Sequence, residues 1–226
     1  MVFGEIIEPS TRALIDEDLE EYPEFIESIP KWEGNLEVPQ EIETLIFIET
    51  EKVLKLFENC VLEEEKVFSE IINAGIKVYN VHKNKYIVVF SEKKELSCGE
   101  ITELFDKWIT TAQNIFTITS ESICNYQNIS LSEKPVSLIR FLSNNVSETF
   151  GYNKLESPNL VSGLGASVLS YCIYLGLPCT LFIAYVDTSP LDSVNMGPVL
   201  NLLKRIKLTV KSTKMKITSS SSNLYM

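Results

Sequence analysis

The sequence has few of the residues from which catalytic and metal-binding sites are built. Its 226 residues include one histidine and five scattered cysteines, none of them in a CxxC pair. An odd number of dispersed cysteines is typical of reduced thiols in a cytosolic protein, and it disfavours both a disulfide framework and a zinc site. The sequence therefore predicts neither a metal nor any other cofactor.

The residues that could still suggest chemistry have simpler interpretations. A Ser/His/Asp or Cys/His mechanism would have to use His82, which lies in a predicted hairpin turn without an identified acidic partner. Gly163-Leu164-Gly165 is half of a dinucleotide-binding turn, but Val168 stands where the third glycine belongs, and close helix packing explains the glycines better. Asp187 follows a predicted central strand, where α/β folds often bind ligands, yet an exposed loop carboxylate explains it equally well.

The chain also lacks long apolar runs and an excess of positive charge. No run approaches membrane-spanning length, and Glu5 and Glu8 interrupt the apolar residues of the N-terminus, so the sequence predicts a soluble, cytoplasmic protein. The formal net charge is −11, with 19 acids against 4 bases in residues 1–65. Phosphate backbones should repel such a protein, which disfavours nucleic-acid binding.

The length fits a single domain with tails. Residues 1–40 are acidic and interrupted by prolines, and they are predicted to be largely extended. Residues 41–208 contain the periodic apolar segments of one α/β domain. Residues 209–226 are rich in serine and lysine, and they are predicted to form a flexible tail.

The segment 155–187 organises the predicted domain. It predicts a turn at Ser157-Pro158-Asn159, a helix over about 163–175 and a strand over about 179–186. The strand is apolar on both faces, and such a strand needs cover from two sides. We therefore expect a mixed, largely parallel sheet with helices on both faces.

Other segments supply the remaining elements of this fold. Ser97 and Glu100 form the pattern of a capping box at the start of a helix. The last helix is predicted to begin at Ser189 and Pro190. Gly197-Pro198 should kink or divide it. The other predictions are strands at 44–48, 76–81, 85–90 and 115–119, a turn at 82–84 that makes the second and third of them an antiparallel hairpin, a helix at 52–62, and a short segment compatible with a helix at 135–145.

The C-terminus ends in Leu224, Tyr225 and Met226, directly after a polar serine-rich tether. A pocket that takes Leu224 and the ring of Tyr225, while a lysine or backbone donors receive the carboxylate, would recognise such an ending. A hydrophobic-Tyr-X ending is short and not rare by chance. On its own it therefore also fits a tail without function.

Several motifs together resemble the proteasome assembly chaperone 1 family. They are Phe3-Gly4-Glu5, Leu155-Glu-Ser-Pro-Asn-Leu-Val161 with Val168-Leu-Ser-Tyr-Cys172, the strand that ends in Tyr185-Val-Asp187, and the closing Ser222-Asn-Leu-Tyr-Met226. The resemblance implies a noncatalytic chaperone that pairs with proteasome assembly chaperone 2, binds α-subunits of the 20S core and promotes α-ring assembly. It also implies that Leu224, Tyr225 and Met226 enter a pocket between α-subunits and hinder premature docking of activators.

Two other hypotheses remain at this stage. One is a small-molecule enzyme of the nucleoside phosphorylase-like α/β type, which a single histidine and the absence of a basic phosphate cluster disfavour. The other is a general adaptor with a C-terminal docking peptide, which differs from the chaperone only in its partner. A polar, enclosed pocket near Asp187 with several convergent donors would favour the enzyme.

Overall fold

A strand that is buried along its whole length lies inside a nine-stranded sheet. We analysed a computed structural model of the chain, which describes residues 30–35, 37–63, 65–91, 96–128, 135–145, 150–187 and 193–210, without the side chains of 193 and 194. The buried strand is Cys179–Val186, and all eight of its residues are buried. The unbroken apolar run of the sequence is thus confirmed as an interior strand covered on both faces.

The described residues form nine strands and five α-helices. The strands are β1 Trp32–Gly34, β2 Ile42–Ile48, β3 Val67–Ile71, β4 Ile76–His82, β5 Lys85–Phe90, β6 Ala112–Ser122, β7 Leu138–Ser143, β8 Asn153–Lys154 and β9 Cys179–Val186. The helices are α1 Glu51–Cys60, α2 Cys98–Leu104, α3 Asp106–Thr111, α4 Leu164–Leu175 and α5 Ser193–Arg205. Two short 3-10 helices lie at Ile72–Ala74 and Ile123–Asn125.

The strand order is β1-β3-β4-β5-β2-β6-β9-β7-β8. The parallel pairs are β5–β2, β2–β6, β6–β9 and β7–β8. The antiparallel pairs are β1–β3, β3–β4, β4–β5 and β9–β7. The prediction of a mixed sheet is confirmed, but the prediction that parallel pairs would dominate is wrong. The reason is that β3, β4 and β5 follow one another through short turns, which only antiparallel neighbours allow.

The first strand of the sheet comes from the segment that was predicted to be extended. Trp32 of β1 pairs with Ile71, and Gly34 pairs with Ser69. The ring of Trp32 packs 6.0 Å from that of Phe105. Residues 32–34 therefore belong to the folded sheet, while the predictions for residues 1–29 lie outside the described residues.

The two faces of the sheet have separate hydrophobic cores. Alternate residues of β9 divide between them: Leu181, Ile183 and Tyr185 face one core, and Phe182 and Val186 face the other. The first core is closed by α2, α3 and α4, and the second by α1 and α5. The predicted arrangement, in which helices cover both faces, is thus confirmed.

Local sequence signals correctly predicted several elements. Strands β4 and β5 form the expected antiparallel hairpin, and Asn84 in its turn has a left-handed φ of 57°. Ser97 and Glu100 form the expected capping box: the Glu100 amide donates to the Ser97 hydroxyl, and the Ser97 amide donates to the Glu100 carboxylate. The helix it starts is interrupted at Phe105, which separates α2 from α3.

The structure corrects one local prediction and excludes one of the two outcomes of another. The segment compatible with a helix contains strand β7 instead, because Leu138, Ile139 and Phe141 pair with β9 and bury side chains on both faces of the sheet. Pro198 lies within one helix, α5, and does not divide it. Burial of the apolar side of α5 outweighs the one hydrogen bond that a proline removes. The predicted start of this helix at residues 189 and 190 lies outside the described residues. Separately, none of the described helices is long and apolar enough to cross a membrane.

The capping box gives a direct test of the start of α2. Replacing Ser97 by alanine (S97A) should lower the free energy of unfolding by about 1 kcal/mol, because the Glu100 amide loses its acceptor. Urea unfolding followed by circular dichroism measures the change. The matched control is E100Q, since glutamine can also close the box. Equal stability of S97A and the wild type would contradict this role of Ser97.

Candidate functional site at the carboxyl ends of the parallel strands

The parallel strands bring a set of polar residues to one edge of the sheet. Glu49 and Thr50 follow β2, Ser120 and Glu121 lie at the end of β6, and Asp187 follows β9. The registers Ile48↔Ile118 and Ser122↔Val186 align these ends. This is the edge at which open α/β sheets bind ligands, so it is the first place to look for chemistry.

The carboxylate of Glu49 caps the N-terminus of α4. Its Oε1 accepts a hydrogen bond from the Leu164 amide at 2.9 Å, and its Oε2 accepts one from the Gly165 amide at 3.1 Å. Amides at a helix N-terminus bind anions, and the partial positive charge of the helix dipole favours negative charge there. A carboxylate of the protein therefore occupies the position that a phosphate takes in nucleotide-binding folds.

The two glycines around Leu164 allow this close approach. Gly163 has a φ of 92°, and a Cβ built on it would lie 2.3 Å from Oε1 of Glu49. A Cβ on Gly165 would lie 2.9 Å from Cδ1 of Leu181 and 3.3 Å from Oγ1 of Thr117, both on the sheet. The interpretation of the Gly-Leu-Gly motif as a packing feature is thus confirmed.

Thr50 adopts an unusual backbone conformation beside this cap. Its φ is 79°, which is a sterically unfavourable region for a β-branched residue. Its hydroxyl lies 2.8 Å from the Ser120 hydroxyl and accepts a hydrogen bond from the Ser120 amide at 3.1 Å. These two contacts hold the turn between β2 and α1 against the end of β6.

A cleft of about 260 Å³ opens next to this turn. It is lined by Lys52, Ser120, Glu121, Ser122, Val186 and Asp187. Its lining thus has one cation and two carboxylates, and the ammonium group of Lys52 donates a hydrogen bond to the backbone carbonyl of Asp187. Phosphate sites use several converging cations, whereas the described lining has one cation and two serine hydroxyls beside two carboxylates.

The one histidine of the chain lies at the other edge of the sheet. His82 ends β4 and pairs with Lys85, which lies beside Thr44 near the start of β2, whereas the cleft lies beyond the end of β2. It is exposed, as its predicted turn position implied. Within the described residues, no group of three or more His, Cys, Asp or Glu side chains is arranged to hold a metal ion.

A second polar cluster joins β7 to the loop before α4. Arg140 donates from Nε to Glu156 Oε2 at 3.0 Å and from Nη2 to the hydroxyl of Tyr126 at 2.7 Å, and that hydroxyl also donates to Glu156 Oε1. Next to it, the backbone of Gln127 and the side-chain amide of Asn159 exchange two hydrogen bonds of 2.8 Å. The predicted turn at residues 157–159 is confirmed, since the backbone amide of Asn159 donates to the backbone carbonyl of Glu156 at 3.1 Å.

The surroundings of the cluster stabilise the charged form of Glu156. Burial by itself would raise the pKa of Glu156, but the hydrogen bonds from Tyr126 and Arg140 and the positive charge of Arg140 outweigh it and lower the pKa. Burial also raises the pKa of Tyr185, whose ring packs 4.9 Å from that of Tyr126, to about 12. The cluster is therefore a partly buried ion pair that fixes a loop, and its groups are already paired with one another.

The structure describes only some of the residues that the sequence singled out. Asp187 lies at the end of β9 as predicted, whereas Leu224, Tyr225 and Met226 lie outside the described residues. Glu49 was not among the residues predicted from the sequence, although its position directly after a predicted strand was a usable signal. The Arg140–Glu156 pair was not predicted either, because residues 16 apart in the chain give no periodic signal.

Comparison with known proteins places the sequence beside proteasome assembly chaperones. Residues 92–225 match the family model described as Proteasome assembly chaperone 4. Proteasome assembly chaperone 1 of Xenopus laevis is 38% identical over 84 residues, which are 32% of this chain and 29% of that protein. The mouse (Mus musculus) protein of the same name is 40% identical over 60 residues, 26% of this chain and 21% of that protein. The matched segment thus spans less than a third of either relative.

The fold has solved counterparts. The crystal structure of Pyrococcus furiosus PbaA, described as an archaeal homolog of proteasome-assembly chaperone, superposes with a TM-score of 0.55 over 80% of this chain and 87% of that chain. The two sequences are 12% identical. At this identity the likeness establishes a shared fold.

The close contact of α4 with the sheet predicts the effect of a single methyl group. Replacing Gly165 by alanine (G165A) should lower the free energy of unfolding by about 1–3 kcal/mol, because the new Cβ overlaps Leu181 and α4 must move. The matched control is G197A, also within a helix, where a Cβ would meet nothing within 4 Å and should stabilise by about 0.5–1 kcal/mol. Chemical unfolding measures both. Equal effects of the two variants would show that α4 is not tightly packed.

The paired carboxylate predicts a pH dependence of stability. A carboxylate whose pKa is lowered by folding stabilises the protein above its ordinary pKa of 4.5, and this contribution is lost as the pH falls through the folded-state pKa. The wild type should therefore exceed E156Q in unfolding free energy by about 1–3 kcal/mol near neutral pH, and the difference should shrink below pH 4.5. Urea unfolding at several pH values measures the difference, with E33Q as the same change at an exposed side chain. A gap that is constant down to pH 3 would rule out this role of Glu156.

Proposed function

The chain belongs to the proteasome assembly chaperone family whose model matches residues 92–225, and from this premise we propose that it acts as a noncatalytic chaperone of 20S core assembly. In this proposal the chain pairs with proteasome assembly chaperone 2, binds proteasome α-subunits in the cytoplasm and promotes formation of the α-ring. The observation that carries the proposal is the sequence relationship to proteasome assembly chaperone 1, which the family match and the fold support.

The cleft at the carboxyl ends of the strands supports a binding protein over a phosphorylase-like enzyme. That alternative required several convergent donors near Asp187. Among the described lining residues the one cation, Lys52, donates to a backbone carbonyl, and the hydroxyls of Ser120 and Ser122 make contacts within the chain. The N-terminus of α4 is already capped by Glu49. A phosphate would have to displace a carboxylate that is held by two amides. The edge that often serves catalysis in α/β folds is used here for internal contacts.

We further propose that the C-terminus makes the contact with the α-subunits. Leu224 and Tyr225 supply an apolar side chain and an aromatic ring, and the carboxylate of Met226 supplies a charge that a lysine or backbone amides can receive. Residues 200–226 contain six bases and no acid, so the charge of this region is opposite to that of the acidic N-terminal third. Occupation of a pocket between α-subunits by this ending would hinder activators that use the same pocket.

Removal of the last three residues tests this contact. A chain that ends at Asn223 should bind α-subunits at least about 30-fold more weakly, because a buried aromatic anchor and a paired carboxylate are each worth ~2 kcal/mol at an interface. Pairing with proteasome assembly chaperone 2 should be unchanged. Affinity is measured by titration of purified α-subunits with the full chain, or with the shortened one, each in complex with chaperone 2.

Two further variants separate the carboxylate from the side chains. One extra glycine after Met226 keeps all three side chains but moves the carboxylate, so it should weaken binding by about 30-fold, less than the truncation does. S219A, in the tether, is the matched control and should bind like the wild type. Equal affinity of the full and the shortened chain would contradict the tail mechanism, and failure of the full chain to bind any α-subunit would contradict the proposed function.

A further inference from the structure

Helix α4 has an outer face without charge. None of its twelve residues is charged, and Leu164, Val168 and Cys172 on its inner side are completely buried. On the outer side, Ile173 is 56% exposed and Tyr174 is 84% exposed. A helix at the surface of a soluble protein normally presents charged side chains to water, whereas a helix that is apolar all round is covered on both sides. Since none of the described elements covers this apolar side of α4, it favours contact with another molecule.

Carboxylates border this face on one flank. The hydroxyl of Tyr171 on α4 donates to Asp106 Oδ1 at 2.8 Å, and the hydroxyls of Ser167 and Thr102 lie 2.9 Å apart, so α2 and α3 are fixed alongside α4. Glu103 is exposed on the same flank, and its charge acts on Tyr171. Together α2 and α3 carry three acids against one base. The border of the apolar face is thus net negative.

The C-terminal end of α4 is open as far as the described residues extend. The helix ends at Gly176 with a left-handed φ of 70°, and the Leu177 amide donates to the Cys172 carbonyl at 2.9 Å. A Cβ built on Gly176 would meet nothing within 4 Å. Neither the described loops nor the described helices cover the end of the helix next to Ile173 and Tyr174, so a flat partner surface can reach these side chains.

We propose that this surface, formed by Ser170, Ile173 and Tyr174 with Glu103 and Asp106 at its border, is where the partner subunit of the proposed chaperone pair docks. The proposal rests on the proposed function and assigns its pairing surface. The expected partner has an apolar centre that covers Tyr174 and lysines or arginines that meet the acidic border. Exposed tyrosines at the centre of such a surface are among the residues that contribute most to binding.

Charge decides between this occupant and others. A second copy of the chain would bring the same net-negative pair of helices to the interface, and the chain as a whole has a net charge of −11. Like charges that face each other across an interface are unfavourable. Phosphate-bearing surfaces would be repelled by the same border. Of these three occupants, a different protein chain with a basic border is the one that fits both the apolar centre and the charge.

Binding measurements with three variants test the assignment. Y174E should weaken pairing of the full chain with full-length proteasome assembly chaperone 2 by ~30-fold or more, since it places a charge where an apolar contact is expected. E103K should weaken it by about 3–10-fold, and the loss should be smaller at high salt. L160E is the matched control: Leu160 is 90% exposed on the loop before α4, and the same charge there should change the affinity by less than about twofold.

The outcomes separate this assignment from the proposed function. Isothermal titration gives the affinities, and thermal unfolding checks that the exposed substitutions leave the fold intact. Unchanged pairing of Y174E, or equal losses in Y174E and L160E, would overturn the surface assignment while capture of α-subunits persists. A homodimer of the wild type that Y174E dissociates, seen in light scattering, would also overturn it. Failure of the wild type to bind both chaperone 2 and α-subunits would instead overturn the proposed function.

Discussion

The burial of β2 and β9 on both of their faces is the constraint on which the rest of the structure depends. All eight residues of β9 and six of the seven residues of β2 are buried. Each large apolar side chain that is fully buried contributes about 1.5–3 kcal/mol, so exposure of either face would be very costly. Helices must therefore cover the sheet from both sides, and the helical connections place β5, β2, β6 and β9 in parallel.

The double cover also explains the contacts at the carboxyl edge. Helix α4 must lie close to β6 and β9, and Gly165 permits this because no side chain separates its backbone from Leu181. The N-terminus of α4 then points at the end of β2, where Glu49 supplies the anion that the free amides need. An edge that can bind substrates in related architectures is thus stabilised by a residue of the chain itself.

The two polar clusters of the described residues are built mainly from contacts within the chain. The cleft beside Asp187 has little positive charge, and the cluster of Arg140, Glu156 and Tyr126 satisfies its own groups. By contrast, α4 presents Ile173 and Tyr174 to solvent beside an acidic border. Such a distribution of chemistry fits a protein that acts by contact with other proteins, in agreement with its family.

The sequence by itself determined the elements whose signals are local. The capping box at Ser97, the hairpin around Asn84 and the apolar run of β9 depend on residues within a few positions of one another, and each was predicted correctly. Only the tertiary structure decided that residues 138–143 form a strand, because their partner in the sheet is about 40 residues further along the chain. It also decided that Glu49 caps a helix 115 residues away. Such contacts depend on the order of strands in the sheet, which the formation of both cores selects and which no local periodicity encodes.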